Sequence, residues 1–279
     1  MILVTGATGN VGRHVVAELL AAGVGVRALV RRPDTADLPP GVEVVAGDLA
    51  DPAGLAAALS GVESVFLVWP FLTAEGAPEV LAAVTEHTDR VVYLSSSRVR
   101  DALAGRDDPI GALHADLERT ITGSGATWTF LRAETIASNT LGWAGQIRET
   151  GVVHGPDLPA KPVVHPGDIA AVAVRVLTED GHAGAGYVLT GPDVLTRADQ
   201  VALIGAAIGR PLRFEPVPPA VARARMLADG RPPALVDALL AGADAPPQPA
   251  VPTTTVRDLT GTPPRDFRDW AKEHAADFT

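Results

Sequence analysis

Near the start of the chain, Gly6-Ala7-Thr8-Gly9-Asn10-Val11-Gly12 sets glycines at intervals of three. Glycine at those positions lets the backbone turn tightly and come close to a pyrophosphate. The start of a following helix then offers free N–H groups and the positive end of its dipole. A second motif, Arg31-Arg32-Pro33, ends an apolar run, and the first acid after it is Asp34. An acid at such a strand end binds the ribose hydroxyls of NAD, whereas a guanidinium suits the 2′-phosphate of NADP. The pattern therefore favours NADP(H) over a pair of arginines that merely solvate a loop. Gly47-Asp48-Leu49 closes a third apolar run. It reads equally as an edge on which an adenine rests or as an Asx turn that caps the next helix.

Residues able to move protons are scarce. Cysteine is absent, which excludes disulfides, thiolate catalysis and Cys-based metal sites. The tyrosines are Tyr93 and Tyr187, and the lysines Lys161 and Lys272. His114 and Glu118 stand four residues apart, on one face of a predicted helix. A histidine near its ordinary pKa, oriented by Glu118, could donate a proton at neutral pH. The same pair also reads as a helix-surface contact. Ser96 and Ser97 follow a predicted strand and could hydrogen-bond a substrate carbonyl or simply satisfy a loop. Trp69 and Phe71, with Trp143 further on, are candidates for an aromatic wall against a flat apolar substrate, or for packing in a lobe. His165-Pro166-Gly167-Asp168 holds two metal-ligand types but no third at a recognisable spacing. No metal is therefore expected, and Asp168 is read as a helix N-cap.

The elements that must position these residues alternate. Apolar strand-like runs are expected at residues 2–5, 26–30, 42–46, 64–68, 90–94 and 127–131. Helical patterns fall at 11–22, 55–59, 78–87 and 110–122. Continuous apolar strands separated by helices indicate a parallel sheet covered on both faces, an α/β doubly wound fold. The second half is less regular. Helices are expected at 168–177, 197–208 and 267–276, a strand at 187–189, two helix-like pieces at 221–227 and 235–240, and an exposed loop at 243–252. Residues 1–150 are expected to form the dinucleotide-binding core and 151–279 a mixed lobe, with about 162–192 returning to the core.

The chain has 279 residues, of which 47% are hydrophobic and 20% charged, so it can bury a sizeable core. Lys and Arg total 23 against 33 Asp and Glu, a net charge of -10. That balance argues against a general nucleic-acid binder. No apolar run is long enough to span a membrane and no leader is visible, so a cytoplasmic protein is expected.

These motifs resemble those of the NmrA-like, NAD(P)-binding group of atypical short-chain dehydrogenases/reductases. The resemblance rests on Gly6 to Gly12, on Val30-Arg31-Arg32-Pro33, on Gly47-Asp48-Leu49 and on Ser124 to Arg132. It continues in Ser138-Asn139, Val163 to Ala170, Tyr187 to Pro192 and Leu259 to Trp270. It implies a Rossmann sheet of six or seven strands with a small C-terminal lobe covering the cofactor cleft. It also implies NADP(H) contacts from Gly6, Thr8, Gly9, Asn10, Val11, Arg31, Arg32, Asp48, Leu49, Val68, Trp69 and Ser95. In the wider superfamily a Tyr-x-x-x-Lys pair donates the proton. Here Ser97 stands four residues after Tyr93 and Gly191 four after Tyr187, so the pair is missing.

The resemblance thus implies an NADPH-dependent reductase, monomeric or homodimeric. It would pass hydride to a carbonyl, quinone or activated double bond of a small apolar substrate, as suits a biosynthetic step on an aromatic natural product. The proton would come from His114, a serine, water or the substrate. The alternative is a non-enzymatic NADP(H) redox sensor; an epimerase is disfavoured by the missing pair. Exchanging Arg31 and Arg32 for alanine is expected to weaken NADPH binding far more than NADH binding. Fluorescence titration tests this, and equal weakening, or none, refutes the arginine assignment.

Overall fold

The computed structural model describes residues 1–105, 108–241 and 251–279. The first half runs β1 (Ile2–Val4), α1 (Gly12–Ala21), β2 (Val26–Val30), β3 (Glu43–Ala46), α2 (Ala56–Leu59) and β4 (Ser64–Leu67). It continues through α3 (Ala77–Thr85), β5 (Arg90–Ser96), α4 (Val99–Leu103), α5 (Pro109–Gly123) and β6 (Thr127–Ala133). Shorter pieces follow: β7 (Thr135–Ile136), α6 (Ala144–Thr150), β8 (Val152–Gly155), β9 (Lys161–Val164), α7 (Pro166–Thr178), β10 (Ala185–Leu189) and β11 (Val194–Leu195). The chain closes with α8 (Arg197–Ile208), β12 (Arg213–Pro216), α9 (Pro219–Ala228), α10 (Pro233–Leu240), α11 (Thr255–Thr260) and α12 (Phe267–Glu273).

Seven strands form one parallel sheet in the order β10-β6-β5-β4-β1-β2-β3. The chain winds outward from β1 through β2 to β3, then returns to place β4 on the other side of β1. This reversal opens a crevice at the carboxyl edge between β1 and β4, the usual ligand position in such sheets. β1 is buried on both faces, as its unbroken Ile-Leu-Val run requires. One apolar layer packs α1 and α7 against the sheet; the other packs α2, α3 and α5. A third cluster, around Ile147, Val153, Val201, Ile204, Phe267 and Trp270, is the core of the lobe.

The sequence reading and the structure agree on the α/β Rossmann architecture. The expected strand at 187–189 is longer, Ala185–Leu189, and is the seventh strand, paired with β6. The stretch from Ala137 to Thr150, for which no element is expected, forms a 3-10 segment and α6. β8 and β12 are four residues each and form a parallel ribbon only with each other, so neither carries a local signal. Asp168 is not the N-cap of α7. Pro166 begins that helix, because its fixed φ and missing N–H suit a first turn, and His165 caps it by accepting from the Gly167 amide at 3.0 Å. Asp168, in the first turn, instead accepts from the Arg265 amide at 2.8 Å and lies 3.7 Å from the Arg265 guanidinium. Of the expected loop at 243–252, residues 243–250 lie outside the described residues; Val251 and Pro252 are exposed.

Two glycines fix the turn between β1 and α1. Gly6 has φ +60, the left-handed region. A Cβ on Gly12 would stand 2.1 Å from the Gly6 carbonyl oxygen, so only glycine lets α1 begin that close to the strand. Gly12→Ala is therefore expected to cost about 3 kcal/mol by overpacking against rigid backbone. Urea unfolding measures this; an unchanged midpoint would refute the close approach.

Candidate active site

The carboxyl edge of β1 presents a cradle of backbone. Gly6, Thr8, Gly9 and Asn10 are exposed there. The Gly9 amide donates to the Gly6 carbonyl at 2.9 Å, and the Arg13 guanidinium donates to the Thr8 carbonyl at 3.1 Å, which stiffens the loop. No side chain caps α1, and the Asn10 and Val11 amides make no hydrogen bond among the described residues. Open amides at a helix start, beside a glycine that admits no side chain, fit a pyrophosphate. The Thr5 hydroxyl accepts from the Val68 amide at 2.7 Å and so ties the ends of β1 and β4 together. A Cβ on Gly6 would lie 3.1 Å from that of Val68, so Val68 walls the cradle.

Arg31 and Arg32 are exposed beyond β2, with no side-chain hydrogen bond among the described residues. Asp48 accepts from the Ala50 amide at 3.0 Å; the Asx turn is formed, at the sheet edge where an adenine could also rest. Three side chains expected at a cofactor point elsewhere. Val11 and Leu49 are core residues, because apolar side chains at the edge of a sheet gain more by packing under it. Ser95 is buried and donates to Glu118 at 2.6 Å.

Next to β4 the strand β5 carries the polar chemistry. Glu118 is buried, and its carboxylate receives Arg132 Nε at 2.9 Å and Nη2 at 2.6 Å besides the Ser95 hydroxyl. One turn earlier on α5, His114 Nδ1 lies 2.6 Å from the Tyr93 hydroxyl. The partner of His114 is thus Tyr93 and not Glu118, whose carboxylate is taken by Ser95 and Arg132. Ser97 is also spoken for: it is buried and donates to Glu134. Ser96, half-buried, accepts from the Arg98 amide at 3.2 Å. Asp108 caps α5 through the Gly111 amide at 2.9 Å and pairs with Arg98 at 2.7 Å, which anchors the start of α5 beside the end of β5.

Burial sets the charges. It pushes the His114 imidazole down to about 4, while Glu118 and Asp108 pull it up and Arg98 pushes it further down. Burial, helped by the charge of Glu118, raises the Tyr93 phenol. At neutral pH both are uncharged. The direction of their hydrogen bond follows the imidazole tautomer; with Nδ1 accepting from the phenol, the ring N–H stands on Nε2. His114 is therefore not an imidazolium acid near its ordinary pKa; it is a neutral hydrogen-bond donor.

The Tyr93–His114 contact escapes a reading that treats Tyr93 as core. Its signal is geometric. Tyr93 and Ser95 are two apart on a strand, His114 and Glu118 four apart on a helix, and both steps span about 6 to 7 Å. The two pairs therefore meet in register. Trp69 stacks edge-to-face on Phe71 with centroids 5.1 Å apart, and its indole N–H is tied to the Thr73 carbonyl at 2.8 Å. Both rings pack on the α3/α5 layer, whereas Trp143 packs on the lobe core. Among the described residues no three His, Asp or Glu side chains gather as a metal site, and no helix is long and apolar enough to cross a membrane.

A seven-stranded parallel sheet with a glycine cradle at its switch point defines a Rossmann-type nucleotide-binding protein. The NmrA-like family model matches residues 1–236, and the chain belongs to that family. It is 43% identical to the (4-alkanoyl-5-oxo-2,5-dihydrofuran-3-yl)methyl phosphate reductase of Streptomyces griseus, over 100% of this chain and 99% of that one. It is 36% identical to an NAD(P)H azoreductase of Xenophilus azovorans, again over 100% and 99%. Among solved structures it is similar to the NADPH complex of a quinone oxidoreductase from Escherichia coli. That match has a TM-score of 0.80 and 25% identity, covering 98% of this chain and 99% of that one.

His114 also leaves a mark on stability. Its pKa is about 4 folded and about 6.5 unfolded, so between those values the unfolded chain binds the extra proton. Its contribution is complete above pH 6.5 and is lost as pH falls toward 4. His114→Gln is expected to flatten the decline of unfolding free energy between pH 6.5 and 4, read by urea titration at each pH. An unchanged slope would refute the neutral buried imidazole.

Proposed function

We propose that this chain is an NADPH-dependent reductase acting on a carbon–carbon double bond conjugated to a carbonyl, such as that of an acylated unsaturated lactone or a quinone. The observation that carries this reading is the cradle of exposed glycine backbone and open helix amides at the switch point, with Arg31 and Arg32 beyond β2. The end-to-end similarity to reductases of a dihydrofuranone, an azo compound and a quinone supports it. NADPH bound there supplies a hydride. Gly6, Thr8, Gly9 and Asn10 would hold its pyrophosphate with backbone, Arg31 and Arg32 would take the 2′-phosphate, and Val68 and Trp69 would border the bound cofactor.

The protein contributes position and polarisation. Hydride supplied to the carbon β to the carbonyl would move the π pair onto the carbonyl oxygen. A proton then completes the α carbon. The Tyr93–His114 pair supplies one neutral N–H, which suits a hydrogen bond to oxygen gaining negative charge. Neutral His114 is a weak acid, so the proton comes from water. That is enough where the substrate delocalises the charge over two carbonyls, and not enough for an isolated ketone, whose alkoxide needs a strong acid beside it. The missing Tyr–Lys pair and the choice of a conjugated acceptor are therefore one fact. Ser96 serves as a second hydroxyl at the end of β5, and Trp69 with Phe71, ring edge to ring face, forms an apolar wall.

With 4-deuterated NADPH, deuterium is expected at the β carbon of an acylated unsaturated lactone, with the ketone left intact. Menadione is expected to be reduced as well, and simple ketones at least about a hundredfold more slowly. Binding of NADPH without turnover of any conjugated acceptor, or reduction of the ketone in place of the double bond, would overturn the proposal. The first outcome would return the reading to a redox sensor.

A further inference from the structure

A cavity of about 160 Å³ lies beside the cradle, and its polar lining is Asn10, Arg13, His14, Ser138, His274 and Asp277. It is polar and roomy enough for water or one small polar group. Its donors are largely unspent. Ser138 is only 6% exposed, yet among the described residues its hydroxyl makes no hydrogen bond, and neither does the side chain of Asn10 or His14. Arg13 is exposed and gives one arm, Nη2, to the Thr8 carbonyl at 3.1 Å. A hydroxyl with so little access to solvent is costly to leave unpaired, so the cavity calls for a polar occupant.

Two helices begin at this cavity. Asn10 leads into α1, whose first turn carries no acid and no side-chain cap, and Pro166, which opens α7, also lines the space. The rings of His14 and His165, one at each helix start, stand edge to face with centroids 6.2 Å apart. The positive ends of both dipoles thus meet here. The acids nearby are already matched. Asp277 lies 2.7 Å from His274 Nδ1, Glu273 lies 3.1 Å from His165 Nε2, and Asp168 takes the Arg265 amide at 2.8 Å. Burial lowers the His14 imidazole; Glu273 opposes this, and His274, Arg13 and Arg265 add to it. A neutral His14 supplies an N–H and no charge, so the positive potential comes from Arg13 and the helix starts.

We infer that this cavity binds a phosphate group, with Arg13, Asn10, Ser138 and His14 donating to its oxygens. Guanidinium, amide, hydroxyl and imidazole donors suit its several acceptors, and the paired helix starts stabilise its charge. A cation is disfavoured because the acids are taken, and an apolar group because it would leave Ser138 and His14 unpaired. The group has one of two sources: the pyrophosphate that the neighbouring cradle is proposed to hold, or a separate phosphate or small phosphate ester. The inference rests on the proposed cofactor reading for the first source alone, and on the cavity for the site itself.

Calorimetry in phosphate-free buffer reads the site directly. Inorganic phosphate is titrated into the ligand-free and the NADP⁺-saturated protein, and NADPH and NADH into the ligand-free protein. The wild type is compared with Ser138→Ala, Arg13→Gln and the exposed control Arg119→Gln. Phosphate is expected to bind the ligand-free wild type, and to bind Ser138→Ala and Arg13→Gln at least about tenfold more weakly. Arg119→Gln should match the wild type. Displacement of phosphate by NADP⁺ assigns the group to the cofactor, and NADPH and NADH should then weaken equally in both variants. Retention of phosphate on the NADP⁺-saturated protein assigns it to a separate ligand. No phosphate binding to the wild type, or binding that both substitutions leave unchanged, overturns the inference. If the wild type binds neither NADPH nor NADH, the cofactor reading fails, and the phosphate titration still decides the site. Urea unfolding checks that each variant is folded; should Arg13→Gln fail, Ser138→Ala decides alone.

Discussion

The Glu118 carboxylate is the contact on which the candidate site depends. It is buried between α5 and the sheet and is shared by Ser95 of β5 and both arms of Arg132 from β6. A buried charge of this kind adds little net stability, but losing one partner costs about 3 to 5 kcal/mol. Its effect is therefore on position. It locks the rotation of α5 about its axis, and rotation is what decides whether His114 meets Tyr93. The Arg132 fork also lies over the seventh strand: a Cβ on Gly186 of β10 would stand 3.1 Å from Nη1. One carboxylate thus joins the helix carrying the polar site to two strands.

That lock places Tyr93 and His114 where burial strips both of charge. A phenol raised by desolvation and an imidazole lowered by it make a neutral relay that donates a hydrogen bond and exchanges no proton at neutral pH. The chemistry open to such a site is narrow. It can polarise an oxygen, but it cannot deliver an acidic proton the way a lysine-assisted tyrosine does. On the proposed reading, a substrate that spreads its own developing charge complements such a site, and water can supply the proton.

The sequence made the cofactor half legible because backbone makes it. Glycines at 6, 9 and 12 declare a turn whose shape follows from their lack of Cβ, and the apolar runs of β1, β2, β4 and β5 declare a doubly covered sheet. The half made by side chains from separate elements was much less legible. Nothing local says that Glu118 bonds Ser95 and Arg132, since Ser95, Glu118 and Arg132 come from three elements. Asp168 looked like a cap from its neighbours, yet its partner is Arg265, nearly a hundred residues on. The ribbon of β8 and β12 exists only as a pair.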